Sequence, residues 1–526
     1  MSSQTEIELK FLVPAGSRPA LVAEMARGSA SLERRTLAAM YLDTADRRLA
    51  RAGIAWRLRR EGRRWVQTLK AGGTNPLERF EHEVIRPDTS FDADAHAGTE
   101  AGDRLRAILD EAHDEGVDVG VRFRTEVRRT ARRIRTRGAV VEVAFDEGRL
   151  LAGEARQRIR EIEFELVSGS AGAMLALAER WRKRFGLIYD PRSKAERGDR
   201  LAEGSPFPKV RKARRPEYGE DATAIEALGA VLDECLAQIA HNAIGLLEGS
   251  PDRRVAHVHQ MRVGIRRLRS ALRSFEGWAP APPEDLVDEL RSLFATLGES
   301  RDSDVLDAGV AAQLARAGAP PMAVPAGEPG PDPVAAVRDA AVQRLLLAWI
   351  AWRTSLAERP GPEPARQASD AGRPAPAAVP ESEVVEPGPS TPSSSADAQA
   401  DLAVDEDSAK DFHRRLQRRL RRWHRRIADD ARIFDQLDEE RVHSLRKRIK
   451  RQRYAVEFFA PVLRRRRTDR YLAPLTAAQE RMGELNDLFV ARARYRQLVA
   501  SDPAAWFALG WLAARIAEIR ALAGSE

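Results

Sequence analysis

A segment that occurs twice limits the folds open to this chain more than any other feature. Residues 258–275, VHQMRVGIRRLRSALRSF, return as VHSLRKRIKRQRYAVEFF at 442–459, a shift of 184 residues. On an α-helix, positions 0, 3, 7 and 10 from the histidine lie within an arc of about 80°. That arc holds His259, Arg262, Arg266 and Arg269 in the first copy and His443, Arg446, Lys450 and Arg453 in the second. Each helix is expected to bury an apolar face and to present a cationic stripe opposite it.

A second matched motif follows each helix. LGESRDSDV at 297–305 corresponds to MGELNDLFV at 482–490. A single Arg-rich helix is usually a solvated face. Two copies in one register, each followed by a matched motif, indicate instead a duplicated structural unit.

Composition is that of a soluble globular protein of several domains. The chain has 526 residues, of which 43% are hydrophobic and 32% charged. The single cysteine, Cys235, excludes an internal disulfide and a thiolate zinc cluster. No apolar run is long enough for a membrane span, and the N-terminus lacks the apolar core of a signal peptide. A cytoplasmic protein is therefore expected.

Charge is distributed unevenly along the chain. Residues 410–467 contain 21 Lys and Arg against 8 Asp and Glu, whereas residues 360–409 contain 2 against 10. A dense cationic surface of this kind favours a polyanionic partner.

Residues 1–204 read as an α+β domain rich in strands. Segments such as EIELKF, IAWRLRRE, RFEHEVI and IREIEFEL alternate between apolar and polar residues and are separated by turn residues. Their polar faces carry charges of both signs, with carboxylates predominating. A solvent-exposed sheet face would usually be more mixed, so the pattern indicates strands that converge on a polar barrel lumen.

Such a lumen would suit phosphate chemistry. Clustered carboxylates are hard oxygen ligands for Mg²⁺ or Mn²⁺. Rows of Arg and Lys can clamp phosphate oxygens. The combination fits phosphoryl hydrolysis.

The same residues resemble the CYTH superfamily, the triphosphate tunnel metalloenzymes. EIELK at 6–10 is similar to the family's ExExK signature, and the likeness continues through Tyr41-Leu-Asp43-Thr44, Arg57-Leu-Arg59, Thr68-Leu-Lys70, Arg79-Phe-Glu81-His-Glu83, Glu142-Val-Ala-Phe-Asp146, Glu161-Ile-Glu163-Phe-Glu165 and Ser193-Lys194-Ala-Glu-Arg197-Gly198. The resemblance implies an eight-stranded antiparallel tunnel that hydrolyses or cyclises triphosphate compounds with a divalent metal.

The resemblance also implies roles for individual residues. Metal ligands would be Glu6, Glu8, Glu163 and Glu165, and the catalytic residues Glu6, Glu8 and Lys10. Triphosphate would be bound by Lys10, Arg57, Arg59, Lys70, Arg79 and Lys194, and further tunnel acids would be Glu81, Glu83, Glu142, Asp146 and Glu161. One tunnel arginine stays open between Arg122, Arg124, Arg128 and Arg129.

The rest of the chain is predicted to be helical. A basic linker at 205–217, with a solvated basic cluster, leads to a helical domain at 218–526. Five helices are expected at 218–357, two of which are separated near 299–300. Five more are expected at 408–526, two of which are separated at 485. Between them, 360–407 is rich in Pro, Ser and acidic residues and is predicted to be disordered, and a smaller loop is expected at 318–333.

This half resembles the CHAD domain, the conserved-histidine α-helical domain. The matching residues are His259, Arg262, Arg266, Arg267, Arg269 and Arg273 in the first repeat, and His443, Arg446, Lys447, Lys450, Arg451 and Arg453 in the second. Gly298, Arg301, Asp302 and Asp304 also fit the family's pattern. The resemblance implies two helical bundles whose cationic surface binds inorganic polyphosphate. No aromatic residue interrupts the stripe at 259–273, which argues against a stacking platform for single-stranded nucleic acid.

Three functions compete at this point. The leading one is a metal-dependent inorganic triphosphatase, with inorganic triphosphate and long-chain polyphosphate as partners, no specific nucleic acid and no membrane. The alternatives are a non-catalytic polyphosphate-binding protein and a tunnel enzyme acting on ATP, as an adenylate cyclase, or on thiamine triphosphate. A nucleic-acid-binding protein would leave the paired carboxylates unexplained. The expected location is the cytoplasm, with polyphosphate granules as one place of association.

Overall fold

A computed structural model describes residues 2–27, 32–72, 77–322, 330–357 and 409–524. The segment predicted to be disordered, 360–407, and part of the loop predicted at 318–333 lie outside the described residues. So do the side chains of 299–308, which include most of the motif LGESRDSDV. Among the described residues, no helix is both long and apolar enough to span a membrane.

The N-terminal part is a closed antiparallel barrel of eight strands, as expected. The strands are β1 (Ser2–Leu12), β2 (Glu33–Thr44), β3 (Ile54–Glu61), β4 (Arg64–Gly72), β5 (Glu78–Arg86), β6 (Val119–Thr136), β7 (Ala139–Ala152) and β8 (Ala155–Gly169). They are ordered β5-β4-β3-β2-β6-β7-β8-β1, and pairing of β1 with β5 closes the barrel. A two-residue strand, β9 (Ile188–Tyr189), continues the pairing along the second half of β1.

Helices cover the barrel outside and enter it at one place. They are α1 (Arg18–Ala26), α2 (Arg48–Arg51), α3 (Glu100–Asp114), α4 (Ala171–Phe185) and α5 (Lys194–Ala202). Trp181 of α4 packs edge-on against Phe164 of β8 on the outer surface. In contrast, α5 packs so closely on β6 that a Cβ on Gly198 would lie 2.2 Å from the ring of Phe123. Only glycine fits at that contact.

The helical half departs from the predicted helix count. Its helices are α6 (Ala224–Glu248), α7 (Arg254–Ser274), α8 (Glu284–Arg316), α9 (Pro333–Arg338), α10 (Ala340–Ala357), α11 (Ala409–Arg432), α12 (Glu439–Phe458), α13 (Arg465–Leu498) and α14 (Ala505–Gly524). The breaks predicted at 299–300 and at 485 are wrong, because α8 and α13 run through them. A glycine inside a helix costs only about 1 kcal/mol, so Gly298 and Gly483 need not end these helices.

One apolar core joins the two halves. It contains Leu9 and Phe11 of β1 together with Leu236 of α6 and Leu346 of α10. The basic segment between the halves is not a free linker either. Arg211, predicted to be solvated, pairs with a glutamate of α6, Glu234, at 2.7 Å. The barrel and the first helices therefore pack as neighbours rather than as separately tethered units.

Candidate functional site

Charged side chains from alternate positions of the strands line the inside of the barrel. On β1, Leu9 and Phe11 lie in the outer apolar core, so that Glu6, Glu8 and Lys10 face inward. Register places predicted residues of β1 opposite predicted residues of β8 and β5: Glu8 opposite Glu165, Lys10 opposite Glu163, and Glu6 opposite Arg79. The strand alternation thus brings the predicted carboxylates and cations into one lumen.

On the β4–β5 side, each cation contacts a carboxylate. Lys70 Nζ lies 2.6 Å from Glu6 Oε2 and 3.3 Å from Glu81 Oε2. Arg79 Nε lies 2.7 Å from Glu8 Oε1. The carboxylates raise the pKa of Lys70 although burial acts to lower it. Lys70 is therefore a fixed positive charge.

Two arginines of β3 project beside these pairs. Arg57 Nη2 lies 3.3 Å from Glu81 Oε1, and Arg59 Nη2 lies 3.4 Å from Glu83 Oε1. These distances are longer than those of good charged hydrogen bonds. Arg59 also pairs with Glu61 at the end of β3. The long contacts with Glu81 and Glu83 are therefore the ones that an incoming anion could replace.

The opposite wall carries the tightest acidic cluster. Oxygens of Asp146, Glu161 and Glu163 lie within 4.8 Å of one another. The Nζ atom of Lys194, at the start of α5, contacts all three at 2.6–2.8 Å. Burial acts to raise the pKa of Glu163, but Lys194 and Arg129 outweigh it and hold that pKa well below its usual range. Cations thus contact every carboxylate of this cluster.

The same cluster includes one of the four arginines between which the sequence left the tunnel arginine open. Arg129 donates hydrogen bonds to both carboxylate oxygens of Asp146, at 2.8 and 2.7 Å. Arg124 and Arg128 are exposed, and Arg122 lies where the pairing of β6 with β2 shifts register. Of these four arginines, Arg129 is therefore the one that pairs with the acidic cluster.

Glu165 behaves in the opposite way to Glu163. Burial and the nearby charges of Glu6 and Glu142 raise the pKa of Glu165 to about 8. Register pairs Glu165 with both Glu8 and Glu142, so three carboxylates meet across β1, β8 and β7. This corner of the lumen has a local excess of negative charge.

Two further residues take part in this wall. Lys10 is buried, and its Nζ donates to the carbonyl of Arg192 just before α5. Arg197 of α5 was quoted in the sequence motif but was given no site role. Its Nη1 lies 2.7 Å from Glu161 Oε2. The i, i+3 spacing from Lys194 was the available signal, because it places both side chains on one helix face.

In the helical half, the two cationic stripes face each other across the contact between α7 and α12. Burial and the neighbouring charges of Arg266 and Arg446 lower the pKa of Lys450 to about 7. Arg266 belongs to the first repeat and Lys450 to the second, so the repeats share one cationic region. Lys447 and Arg273 are exposed at its margin.

The first stripe is not the fully exposed ridge that the sequence predicted. Arg262 is buried, donates to the carbonyl of Phe294 at 3.0 Å, and lies 4.3 Å from that ring's centroid. Arg269 also lies beside Phe294, at 5.8 Å from the ring centroid. A Cβ on Gly298 would stand 2.1 Å from a guanidinium nitrogen of Arg262, so this glycine makes room for the arginine.

In the second stripe, His443 and Arg453 contact side chains of the next helix. His443 Nδ1 lies 3.1 Å from Asn486 Oδ1 of α13. Arg453 donates to Gln479 Oε1 at 2.8 Å. His259 is half-buried on α7. In the second copy, the histidine and the arginine thus connect α12 to α13.

Comparison with known proteins divides the chain in the same way. A family model described as the CYTH domain matches residues 4–198, and one described as the CHAD domain matches residues 230–496. An inorganic triphosphatase of Haemophilus influenzae is 28% identical over 163 residues, which are 30% of this chain and 44% of the relative. The chain thus spans less than half the length of that relative.

Solved structures resemble each half separately. The CHAD domain of the plant Ricinus communis is 27% identical, with a TM-score of 0.40, and the match covers 60% of this chain and 97% of that one. A putative adenylyl cyclase of Hippeastrum, described as having a dominant triphosphatase activity, is 20% identical with a TM-score of 0.29. That match covers 39% of this chain and 98% of the other.

Proposed function

This chain belongs to the CHAD domain family and carries a CYTH domain ahead of it, and on that basis we propose that its tunnel hydrolyses inorganic triphosphate with a divalent cation. The observation that carries the proposal is the lumen itself. Fixed cations line one wall, while Glu165 stands in a corner with excess negative charge. The similarity to an inorganic triphosphatase supports the substrate.

The proposed phosphate clamp consists of Lys10, Arg57, Arg59, Lys70, Arg79 and Lys194. Arginine binds phosphate oxygens through two parallel N–H groups, and lysine binds them as a point charge. In the free protein, the contacts of Arg57 and Arg59 with Glu81 and Glu83 are long, as described above, and Arg59 also pairs with Glu61 at the end of β3. A triphosphate can replace those contacts without leaving a buried charge unpaired.

The residues present fit a divalent cation. A carboxyl whose pKa is raised to about 8 by burial and by neighbouring carboxylates is relieved when a cation binds beside it. Oxygen ligands of this kind suit Mg²⁺ or Mn²⁺. We propose Glu6, Glu8, Glu163 and Glu165 as the ligands, with Glu81, Glu83, Glu142, Asp146 and Glu161 as supporting acids. When bound, the cation supplies charge neutralisation at phosphate oxygens and lowers the pKa of water.

The chain's own groups would do the remaining work. The clamp holds the three phosphates in line, which reduces the entropy cost of reaching the reactive geometry. A carboxylate oxygen of Glu6 or Glu8 can accept a proton from the attacking water. Lys10, fixed by the carbonyl of Arg192, can hold a positive charge near the phosphate that is attacked. The closed barrel limits the access of bulk water to these groups.

The test is phosphate release from tripolyphosphate, ATP and thiamine triphosphate, each with Mg²⁺ or Mn²⁺. Glu6→Ala/Glu8→Ala should abolish release. The matched control, Glu33→Ala/Glu126→Ala, removes two exposed glutamates from the barrel surface and should leave release unchanged. Preferred release from ATP or thiamine triphosphate would favour the organic alternatives. Release from none of the three would leave the non-catalytic alternative.

For the helical half, the proposal is binding of long-chain polyphosphate. The proposal is supported by Arg266 of the first stripe, which lies near Arg446 and Lys450 of the second. The proposed binding residues are His259, Arg262, Arg266, Arg269, Arg273, His443, Arg446, Lys447, Lys450 and Arg453. Binding should weaken steeply with salt, because a polyanion releases counterions when it is neutralised. Arg266→Ala/Lys450→Ala should lower the affinity and flatten the salt dependence. Arg432→Ala/Arg515→Ala, which removes two surface arginines paired with acids, is the control.

A further inference from the structure

The segment from β9 to the end of α5 lies between the lumen and the helical half. On its lumen side, the carbonyl of Arg192 accepts a hydrogen bond from Lys10, Lys194 contacts the acidic cluster, and Arg197 contacts Glu161. Three lumen charges thus depend on the position of one short segment. What holds the other side of that segment therefore matters for the tunnel.

Gln343 of α10 holds the start of the segment. Its Oε1 accepts a hydrogen bond from the backbone N–H of Tyr189 at 2.9 Å. Its Nε2 donates to the carbonyl of Val337, also at 2.9 Å. The side chain is only 2% exposed. These two hydrogen bonds therefore give both ends of a buried amide a partner. This geometry fixes β9 against the helical half.

His241 of α6 holds the first turn of α5. Its Nδ1 lies 2.9 Å from the carbonyl oxygen of Ala237, and since a carbonyl only accepts, Nδ1 carries a proton. The other nitrogen, Nε2, then faces Glu196 Oε2 at 3.7 Å. Glu196 lies two residues after Lys194 and directly before Arg197. When His241 is protonated, this contact is an ion pair that connects α6 to the helix that carries both lumen cations.

Packing alone does not hold this turn in place. A cavity of about 230 Å³ lies between the barrel and the helices, and Ser193, Glu196 and His241 are among its lining residues. The first turn of α5 therefore has free space on the side of the helical half. On the side of the helical half, the contact of His241 with Glu196 and that of Gln343 with Tyr189 oppose movement of the segment.

We infer that His241 and Gln343 are positioning residues for the tunnel, so that the helical half is part of the catalytic unit. Where it concerns catalysis, this inference rests on the proposed function. His241→Ala should lower kcat for tripolyphosphate about 5-fold, the usual worth of a half-buried ion pair. Gln343→Met, which removes both buried hydrogen bonds, should lower kcat about 10-fold. KM should change less, because Arg57, Arg59 and Lys70 are held by other elements.

A rescue variant separates positioning from general damage. His241→Arg keeps a cation opposite Glu196 and should restore most of kcat, which a merely structural role would not predict. His113→Ala, at an exposed histidine of α3, is the matched control and should behave as the unaltered protein. If Gln343→Met does not fold, the His241 series decides alone.

Hydrogen exchange tests the same inference without activity. In His241→Ala, amides of residues 194–202 should exchange at least several-fold faster, while those of α3 keep their rates. Absence of phosphate release by the unaltered protein would refute the proposed function and leave the exchange result to decide the positioning. Unchanged exchange at 194–202, together with unchanged kcat where release is measurable, would overturn the inference.

Discussion

Replacing Lys194 by methionine tests the electrostatic account of the lumen most directly. Lys194 contacts three buried carboxylates at 2.6–2.8 Å. Removing one partner of a buried ion pair costs about 3–5 kcal/mol, because the remaining charges are left uncompensated. Arg129 and Arg197 still pair with the same carboxylates, so we expect about 3 kcal/mol. For a barrel domain of this size, that corresponds to a fall in Tm of about 6–12 °C.

The loss should depend on pH in a defined direction. In the unaltered protein, Lys194 and Arg129 outweigh burial and hold the pKa of Glu163 well below its usual range. Without Lys194, the cluster should resemble Glu165, whose pKa is raised to about 8 by burial and like charges. A carboxyl with a raised pKa in the folded state gains stability as pH falls through that value. The difference in Tm between variant and unaltered protein should therefore narrow from pH 8 to pH 5.

Thermal unfolding at pH 5, 6, 7 and 8 in metal-free buffer measures both effects. Lys209→Met is the control, because Lys209 is exposed and its contact with Glu203 is long, at 3.7 Å. Its Tm should stay within about 1 °C of the unaltered value. A Lys194→Met protein that melts with the unaltered protein at pH 8, or whose difference does not change with pH, would refute the reasoning.

Three other predictions use single substitutions. Glu165→Gln should flatten the fall in Tm that the unaltered protein shows between pH 5 and 8 in metal-free buffer, because a carboxyl with a pKa of about 8 destabilises the fold as it ionises; parallel pH profiles would contradict this. Gly245→Ala should lower the free energy of unfolding, measured with urea, by about 1–3 kcal/mol, because the new Cβ would lie 2.2 Å from the ring of His257. The control Gly510→Ala should cause no loss, because its Cβ would meet nothing within 4 Å. Polyphosphate affinity, measured by calorimetry, should fall as pH rises from 6 to 8, because the pKa of Lys450 is lowered to about 7. Lys450→Met should remove this pH dependence, and a variant with the same pH profile as the unaltered protein would exclude Lys450 from the binding region.

The inward charges of the barrel were predictable because strand alternation is a local property. Glu6, Glu8 and Lys10 alternate with apolar residues, and the buried positions of Leu9 and Phe11 then decide which face is inside. Arg129 was not predictable in this way. The pairing of β2 with β6 shifts register after Tyr41, near the start of β6. The alternation of inward and outward side chains could therefore not be counted from the first residue of that strand.

The helical half shows the limits of local signals. Gly298 was read as part of a helix boundary, whereas it accommodates the guanidinium of Arg262 inside a continuous helix. The pairing of Arg211 with Glu234 and the contact of Gln343 with Tyr189 join segments that are distant in sequence. No periodicity records such contacts, because they arise only when the elements pack. The assignments of individual tunnel and polyphosphate residues to their roles remain predictions.

Closure of the barrel by its first strand has a consequence for synthesis of the chain. One side of β1 pairs with β5, and the other pairs with β8, where Glu8 meets Glu165. At about 5–20 residues per second, the ribosome needs about 10–30 s to reach that partner. Until then the N-terminal strand keeps one unpaired edge, the kind of surface on which strands of different chains associate. The barrel should therefore fold slowly and late, and the nascent chain should depend on protection of its first residues during translation.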